Sequence, residues 1–262
     1  MPGAQIAFDH MAFRTFGVEH LGIASLSRWF LDMGYVQQPE ELRFPAKKLR
    51  ARWLAPPPSE LPLPRIFISE LIVDELSAAA QQIIRRYTAP NAEIMGRYGP
   101  ATGLLGQEPW EPPAVEDFEA LAKESEYASW VLVNGYLLNH TTVAVHRLEE
   151  LQGGVPALNA LLKGAGLELN AEGGEVKVSP DGLLLQSSTV ADCRPFTFAG
   201  GEMASVPAGY IEFAERRVLP QFEGLPLEEI REHHRRDGFE VGNADRIFES
   251  TTLAARQAGE AQ

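Results

Sequence analysis

The order of elements in this chain predicts an α+β fold, with two βαβββ-type units joined in one curved mixed sheet. Three observations carry that expectation. Stretches with strand and helix periodicity alternate as strand–helix–strand–strand, an irregular insert, then strand–helix–strand–strand–strand. The two halves open alike, with "FDHMAFRT" at 8–15 and "LNHTTVAV" at 138–145. Each opening sets an acidic or amide residue before a histidine, at the start of a strand that leads into a helix, as an internal duplication would.

Residues 6–14 alternate well enough for a strand, and Phe8 and Phe13 favour it. "GIASLSRWFLDMG" reads as a helix with Ile23, Leu26, Phe30 and Leu31 on one face and Gly34 as its stop. "ARWLAPP" (51–57) and "RIFISELIV" (65–73) read as strands joined by the proline-rich link Pro56 to Pro64. Residues 74–87 follow as a helix. The run from Tyr87 to Pro113 is rich in Gly and Pro, and a further helix is expected at 115–123. A strand is expected around 137–146, and "VPALNALLKGAG" is a short helix ending at a glycine. "EVKVSPDGLLLQSSTVAD" has the form of a hairpin turning at Pro180-Asp181-Gly182, and "GYIEFAERRVL" closes the regular part as a strand. The expected organisation is one domain over 1–262, with units at about 6–73 and 137–217, an insert at about 74–136, and a helical and loop-like tail at about 218–262.

The 262 residues can bury a substantial core. A net charge of −13 argues against nucleic acid or an anionic membrane as the main partner, though not against a small anion in a local basic pocket. Cys193 is the only cysteine, which excludes an internal disulfide and a Cys-rich zinc site; a small buried or inert thiol is expected. No stretch approaches ~20 uninterrupted apolar residues, and "MPGAQIAFDH" lacks the basic and apolar segments of a signal peptide. The expectation is a cytoplasmic protein. No signal for an oligomeric state is present.

His10 and His140 occupy equivalent places in the two half-units, so pairing of the halves about a pseudo-twofold axis would bring both imidazoles to the centre. "YIEFAER" offers Glu212 or Glu215 as a third ligand. Alternation puts Tyr210, Glu212 and Ala214 on one face, and a lone carboxylate there needs a partner such as a metal. Two histidines and a carboxylate form the facial triad of non-haem Fe(II) oxygenases, and the same set can hold Zn or Mn. His10, Ala12 and Arg14 share a strand face, with the outer pair about 13 Å apart, so Arg14 could grip the far carboxylate of a diacid chelated at the metal. The plainer readings stand beside these. A histidine on a half-apolar strand is more often a satisfied core residue than a ligand, a strand glutamate usually faces water, and Arg14 without a metal nearby fits a structural salt bridge. His20 and His146 read as solvent-facing or capping, and His233 and His234 as a solvated helix end.

At "FDHMAFRT", "LLNHTTVAV", "LLLQSSTVAD", "YIEFAER" and "DGFEVGNADRIFEST" the chain resembles the 2-oxoadipate dioxygenase/decarboxylase family, whose core is of the vicinal-oxygen-chelate type. The matching segments run over nearly the whole chain, apart from about 88–125 and the last ten residues. The resemblance implies an enzyme that uses Fe(II) and O2 to convert 2-oxoadipate into 2-hydroxyglutarate and CO2, a step of lysine breakdown. It implies His10, His140 and Glu212 as metal ligands and Arg14 as the partner of the distal carboxylate. Gln186 and Ser188 share a face of the hairpin strand and are candidates to touch the substrate or support the ligands. "FEVGNAD", with Val241 and Gly242, is a candidate lid that meets the substrate through its backbone. A preparation could carry Zn, Ni or Mn in place of iron. Two rival readings remain: a Zn- or Ni-dependent hydrolase or isomerase of the same fold, which would turn over without O2, and a non-catalytic small-molecule binding protein, which would keep its ligand affinity without metal.

Overall fold

The computed structural model describes residues 6–59, 62–91, 109–148 and 150–252; most of the Gly- and Pro-rich insert and the last ten residues lie outside them. In chain order the first half holds β1 (Phe8–Phe16), α1 (Gly22–Asp32), β2 (Val36–Gln37), β3 (Leu42–Phe44), β4 (Leu49–Ala55), β5 (Arg65–Leu71) and α2 (Ala78–Thr88). The insert then supplies α3 (Val115–Glu124) and α4 (Glu126–Asn134). The second half holds β6 (Leu138–Ala144), α5 (Gly154–Gly164), β7 (Lys177–Val178), β8 (Leu184–Ser188), β9 (Cys193–Thr197), β10 (Met203–Pro207), β11 (Tyr210–Arg216) and α6 (Val241–Ile247).

The two halves share a nine-stranded mixed sheet in the order β2-β4-β5-β1-β6-β11-β8-β7, with β3 added beside β4. β1 runs parallel to β5 and β6 parallel to β11, while β1 and β6 pair antiparallel at the centre. That arrangement is a pseudo-twofold, and its register fixes equivalent positions. Phe67 lies opposite Ala12, two residues past His10; Glu212 lies opposite Thr142, two residues past His140. By the same step Glu70 is the counterpart of Glu215, and both do the same work. The Glu70 Oε2 accepts from the Ile23 backbone N–H at 2.6 Å at the start of α1, and the Glu215 Oε2 accepts from the Val155 N–H at 3.0 Å at the start of α5. A carboxylate there satisfies otherwise orphaned amides and suits the positive end of the helix dipole. Gly22 (φ +81°) and Gly154 (φ +61°) make room for these carboxylates, and a Cβ on either would collide with the Glu70 or Glu215 oxygens.

Several short elements lie beyond the sequence reading. β2 and β3 are too short to show a period, and the β9–β10 hairpin stands off the main sheet, anchored by Phe196, Phe198 and Val206 against Val133. α4 is rich in β-forming residues, yet Ser125 caps it and the residues from Tyr127 to Asn134 are all buried, so packing overrides propensity. Cys193 is exposed on the hairpin, not buried as its isolation in the sequence suggested, because that ribbon leaves the core. The larger core gathers α1, α2 and the insert helices over the first half, and a smaller one lies under α5. No helix among the described residues is long and apolar enough to cross a membrane.

Gly22→Ala and Gly154→Ala are each expected to lower stability by roughly 1–3 kcal/mol in denaturant unfolding, because both add a strained φ to a clash with the capping carboxylate. Similar losses in the two variants would mark the two caps as equivalent parts.

Candidate metal centre

Three strands of the sheet place His10, His140 and Glu212 on one face, each 2–5% exposed. The Glu212 Oε2 lies 3.2 Å from the His140 Nε2 and 3.7 Å from the His10 Nε2, and one ligand atom from each residue falls within a 4.8 Å span. Both histidines are held by the residue before them. The His10 Nδ1 lies 2.8 Å from the Asp9 Oδ1, and the His140 Nδ1 lies 2.8 Å from the Asn139 Oδ1. The acceptors take the Nδ1 proton, which leaves a lone pair on each Nε2; that of His10 meets the Thr142 hydroxyl at 3.0 Å, a contact that a bound metal would replace. Nitrogen and oxygen donors converging on one point, with their outer atoms already oriented, fit a divalent transition metal.

Electrostatics in the cup are mutual. Burial alone would raise the Glu212 pKa, but the His10 and His140 imidazoles outweigh it and hold it at about 2. Burial drives His140 down to about 4 against the pull of Glu212, so it is neutral at pH 7. His10 goes the other way, because Glu212 and Asp9 overcome its burial. Asp9 is buried too, and Arg216 holds it ionised through a two-pronged pair, Nε to Oδ2 at 2.6 Å and Nη2 to Oδ1 at 2.9 Å. Glu215 points to the other face, where it caps α5.

Arg14 lies further along β1 on the same face and is 2% exposed. Its guanidinium sits 5.0, 5.1 and 5.5 Å from the rings of Tyr127, Trp130 and Phe248. The Nη1 donates to the Thr251 Oγ1 at 3.1 Å and the Tyr210 hydroxyl lies beside the guanidinium, while the Nε and Nη2 make no hydrogen bond of good geometry. A buried cation with unused donors is a seat for an anion. Gln186 donates to the Glu212 Oε1 at 2.7 Å, and the Ser188 hydroxyl pairs with that of Ser250 at 2.9 Å. Val241 and Gly242 open α6 and are exposed; Asn243 is the residue of that segment that turns inward. His20 is exposed, His233 and His234 sit on an exposed turn, and His146 is largely buried, its Nδ1 accepting from the Arg216 backbone N–H.

Several site residues escaped the sequence reading. Tyr127 and Trp130 come from the insert and Phe248 and Thr251 from the C-terminal segment, while Phe239 and Asn243 lie within the "FEVGNAD" stretch read as a lid but were not singled out. The Phe239 ring meets the His10 ring edge-on with centroids 4.9 Å apart. Their aromatic and amide character gives no periodic signal. Asp9 and Asn139 were visible as part of the repeated opening, without their role.

A family model described as 2-oxoadipate dioxygenase/decarboxylase matches residues 2–98 and 101–227. The chain is 55% identical over 258 residues to the chloroplastic/amyloplastic 2-oxoadipate dioxygenase/decarboxylase of Oryza sativa subsp. japonica, covering 95% of this chain and 70% of that protein. It superimposes on the hydroxyglutarate synthase of Oryza sativa, solved in complex with 2-oxoadipate, with a TM-score of 0.90 at 55% identity, covering 95% of this chain and 82% of that one. A glyoxalase-superfamily protein from Ralstonia eutropha JMP134 shares the fold, with a TM-score of 0.68 at 22% identity, over 90% of this chain and 76% of that one.

Glu212→Ala is expected to lose bound metal on gel filtration, while Glu215→Ala keeps it and loses only about 1 kcal/mol of stability with its helix cap. Equal metal content in the two variants would overturn the assignment of faces. Acid should also weaken the metal-free protein. His140 titrates near 6.5 unfolded and about 4 folded, so the unfolded chain binds its proton first and stability falls as pH drops from 6.5 toward 4. His10, raised in the folded state, contributes a constant amount below 6.5. His140→Gln should flatten that slope in pH-dependent denaturant melts.

Proposed function

The chain belongs to the 2-oxoadipate dioxygenase/decarboxylase family, and we propose that it performs that reaction itself, consuming 2-oxoadipate and O2 and releasing 2-hydroxyglutarate and CO2. The observation that carries the reading is one strand, β1, with a metal-type histidine at one end of its inner face and a buried, incompletely bonded arginine four residues on. That separation suits a short dicarboxylic acid bound by both ends.

His10, His140 and Glu212 are the proposed ligands of Fe(II), which supplies the binding positions for the 2-oxo acid and O2 and the redox chemistry of oxidative decarboxylation. The chain's own tasks follow from the geometry. Asp9 and Asn139 aim the imidazoles, and Arg14 neutralises and orients the distal carboxylate through its Nε and Nη2 donors. Tyr127, Trp130 and Phe248 wall the guanidinium from water, which strengthens its grip on an anion. Gln186 and Ser188 belong to the support of this site, and the turn at Val241 and Gly242 to its edge. A single cysteine and an oxidisable Fe(II) centre suit a reducing compartment, for which the cytoplasm is our assignment.

Arg14→Ala should retain iron yet raise KM for the diacid by an amount worth about 2–5 kcal/mol, with a smaller effect on a 2-oxo monoacid. An unchanged KM would remove Arg14 from the substrate site. The activity itself is tested by O2 uptake and CO2 release from anaerobically reconstituted Fe(II) protein with 2-oxo diacids of increasing length. Stoichiometric uptake with 2-oxoadipate as the best substrate supports the proposal, and turnover without O2 overturns it in favour of hydrolase or isomerase chemistry.

A further inference from the structure

A hydrogen-bond chain runs from α6 to the Glu212 carboxylate, and its direction is set by chemistry. The Glu212 Oε1 is 2.7 Å from the Gln186 Nε2. An ionised carboxylate only accepts, so Gln186 must present its NH2 group there. The Gln186 Oε1 then has to accept, and it does so from the Asn243 Nδ2 at 3.0 Å. The same Nδ2 approaches the backbone carbonyls of Lys177 and Leu184 at 3.4 and 3.5 Å. Carbonyls accept and never donate, so turning the Asn243 amide over would set oxygen against oxygen at all three contacts. Asn243, Gln186 and Glu212 are all buried, which keeps water from substituting for any link.

We propose that Asn243 is a positioning residue that, through Gln186, limits Glu212 to a single metal-coordinating oxygen. The Oε1 is engaged by Gln186, and the Oε2 is the oxygen that faces His10 and His140. The proposal rests on the three-ligand metal reading above and extends it. An octahedral ion with three one-atom protein ligands keeps three places, the number that a two-point 2-oxo acid and O2 together require. A carboxylate free to swing both oxygens onto the ion would take one of them. Because Asn243 stands on α6, the docking of the C-terminal segment and the open places at the metal become one property.

The test uses full-length protein loaded with Co(II) and kept free of O2, so that nothing turns over. Wild type, Asn243→Leu and Gln186→Leu are titrated with 2-oxoadipate, a two-point ligand, and then, once saturated with it, with azide, a one-point ligand that needs the third place. Ligand-field absorption reports binding, and the Co(II) content of each chain is measured in parallel. The expected result is unchanged Co(II) content, 2-oxoadipate affinity within about threefold of wild type because two places remain, and azide affinity of the 2-oxoadipate complex lowered roughly tenfold or more in both variants. Equal weakening of both ligands, no weakening of either, or loss of Co(II) would each overturn the proposal, since a carboxylate released to chelate holds the ion at least as well. Asn243→Ala, read the same way, replaces the leucine variant if added bulk prevents folding. Failure of the wild type to bind 2-oxoadipate would instead overturn the metal reading on which the proposal rests.

Discussion

An ionised carboxylate buried away from water costs several kcal/mol unless its neighbours compensate it, and Glu212 is such a carboxylate. Much of the surrounding structure can be derived from that constraint. The charges alternate outward from it: Glu212 faces two imidazoles, His10 leans on Asp9, and Asp9 is clamped by Arg216 with Arg65 beside it. Arg216, itself only 1% exposed, uses its remaining Nη1 on the backbone carbonyls of Arg236 and Gly238. The compensation therefore reaches the C-terminal segment, and the ligand geometry and the closure of the cup share one polar network.

The pseudo-twofold explains how such a site arises between two similar units, and where the units part company. Histidine and helix cap are retained in both halves, since Glu70 and Glu215 repeat each other across the axis. The inner face is not. Opposite Phe67 stands Trp53, while opposite Glu212, the counterpart of Phe67, stands Ser188. One half of the inner face is thus aromatic and the other polar, which gives the candidate metal site a direction. The proposed seat for a distal carboxylate follows the same asymmetry. Arg14 belongs to the first half, and its counterpart in the second is Ala144, four residues past His140.

Neither unit alone closes the site. α4 brings Tyr127 and Trp130 to Arg14, and the C-terminal segment brings Phe239 to His10, Asn243 to Gln186, and Phe248 and Thr251 to Arg14. The guanidinium is held by ring faces in place of a carboxylate, so it is desolvated without being neutralised. Such an arrangement keeps the cation available to an incoming anion, whereas a buried salt bridge would have consumed it.

The amino-acid order alone determined the main strands β1, β4, β5, β6, β8 and β11 with the helices α1, α2, α3 and α5, the paired openings around His10 and His140, and the face of β11 on which Glu212 lies. These follow from period-two alternation and local turn chemistry, which act over a few residues and can be read from them. Tertiary structure decided what Glu215 does, because capping α5 depends on a helix sixty residues away in the chain. It also decided that a helix, α4, forms from β-favouring residues, and that an aromatic box and an amide chain are assembled from the insert and the C-terminal segment. Those contacts join distant parts of the chain through shape and burial, and no periodicity in the sequence encodes them.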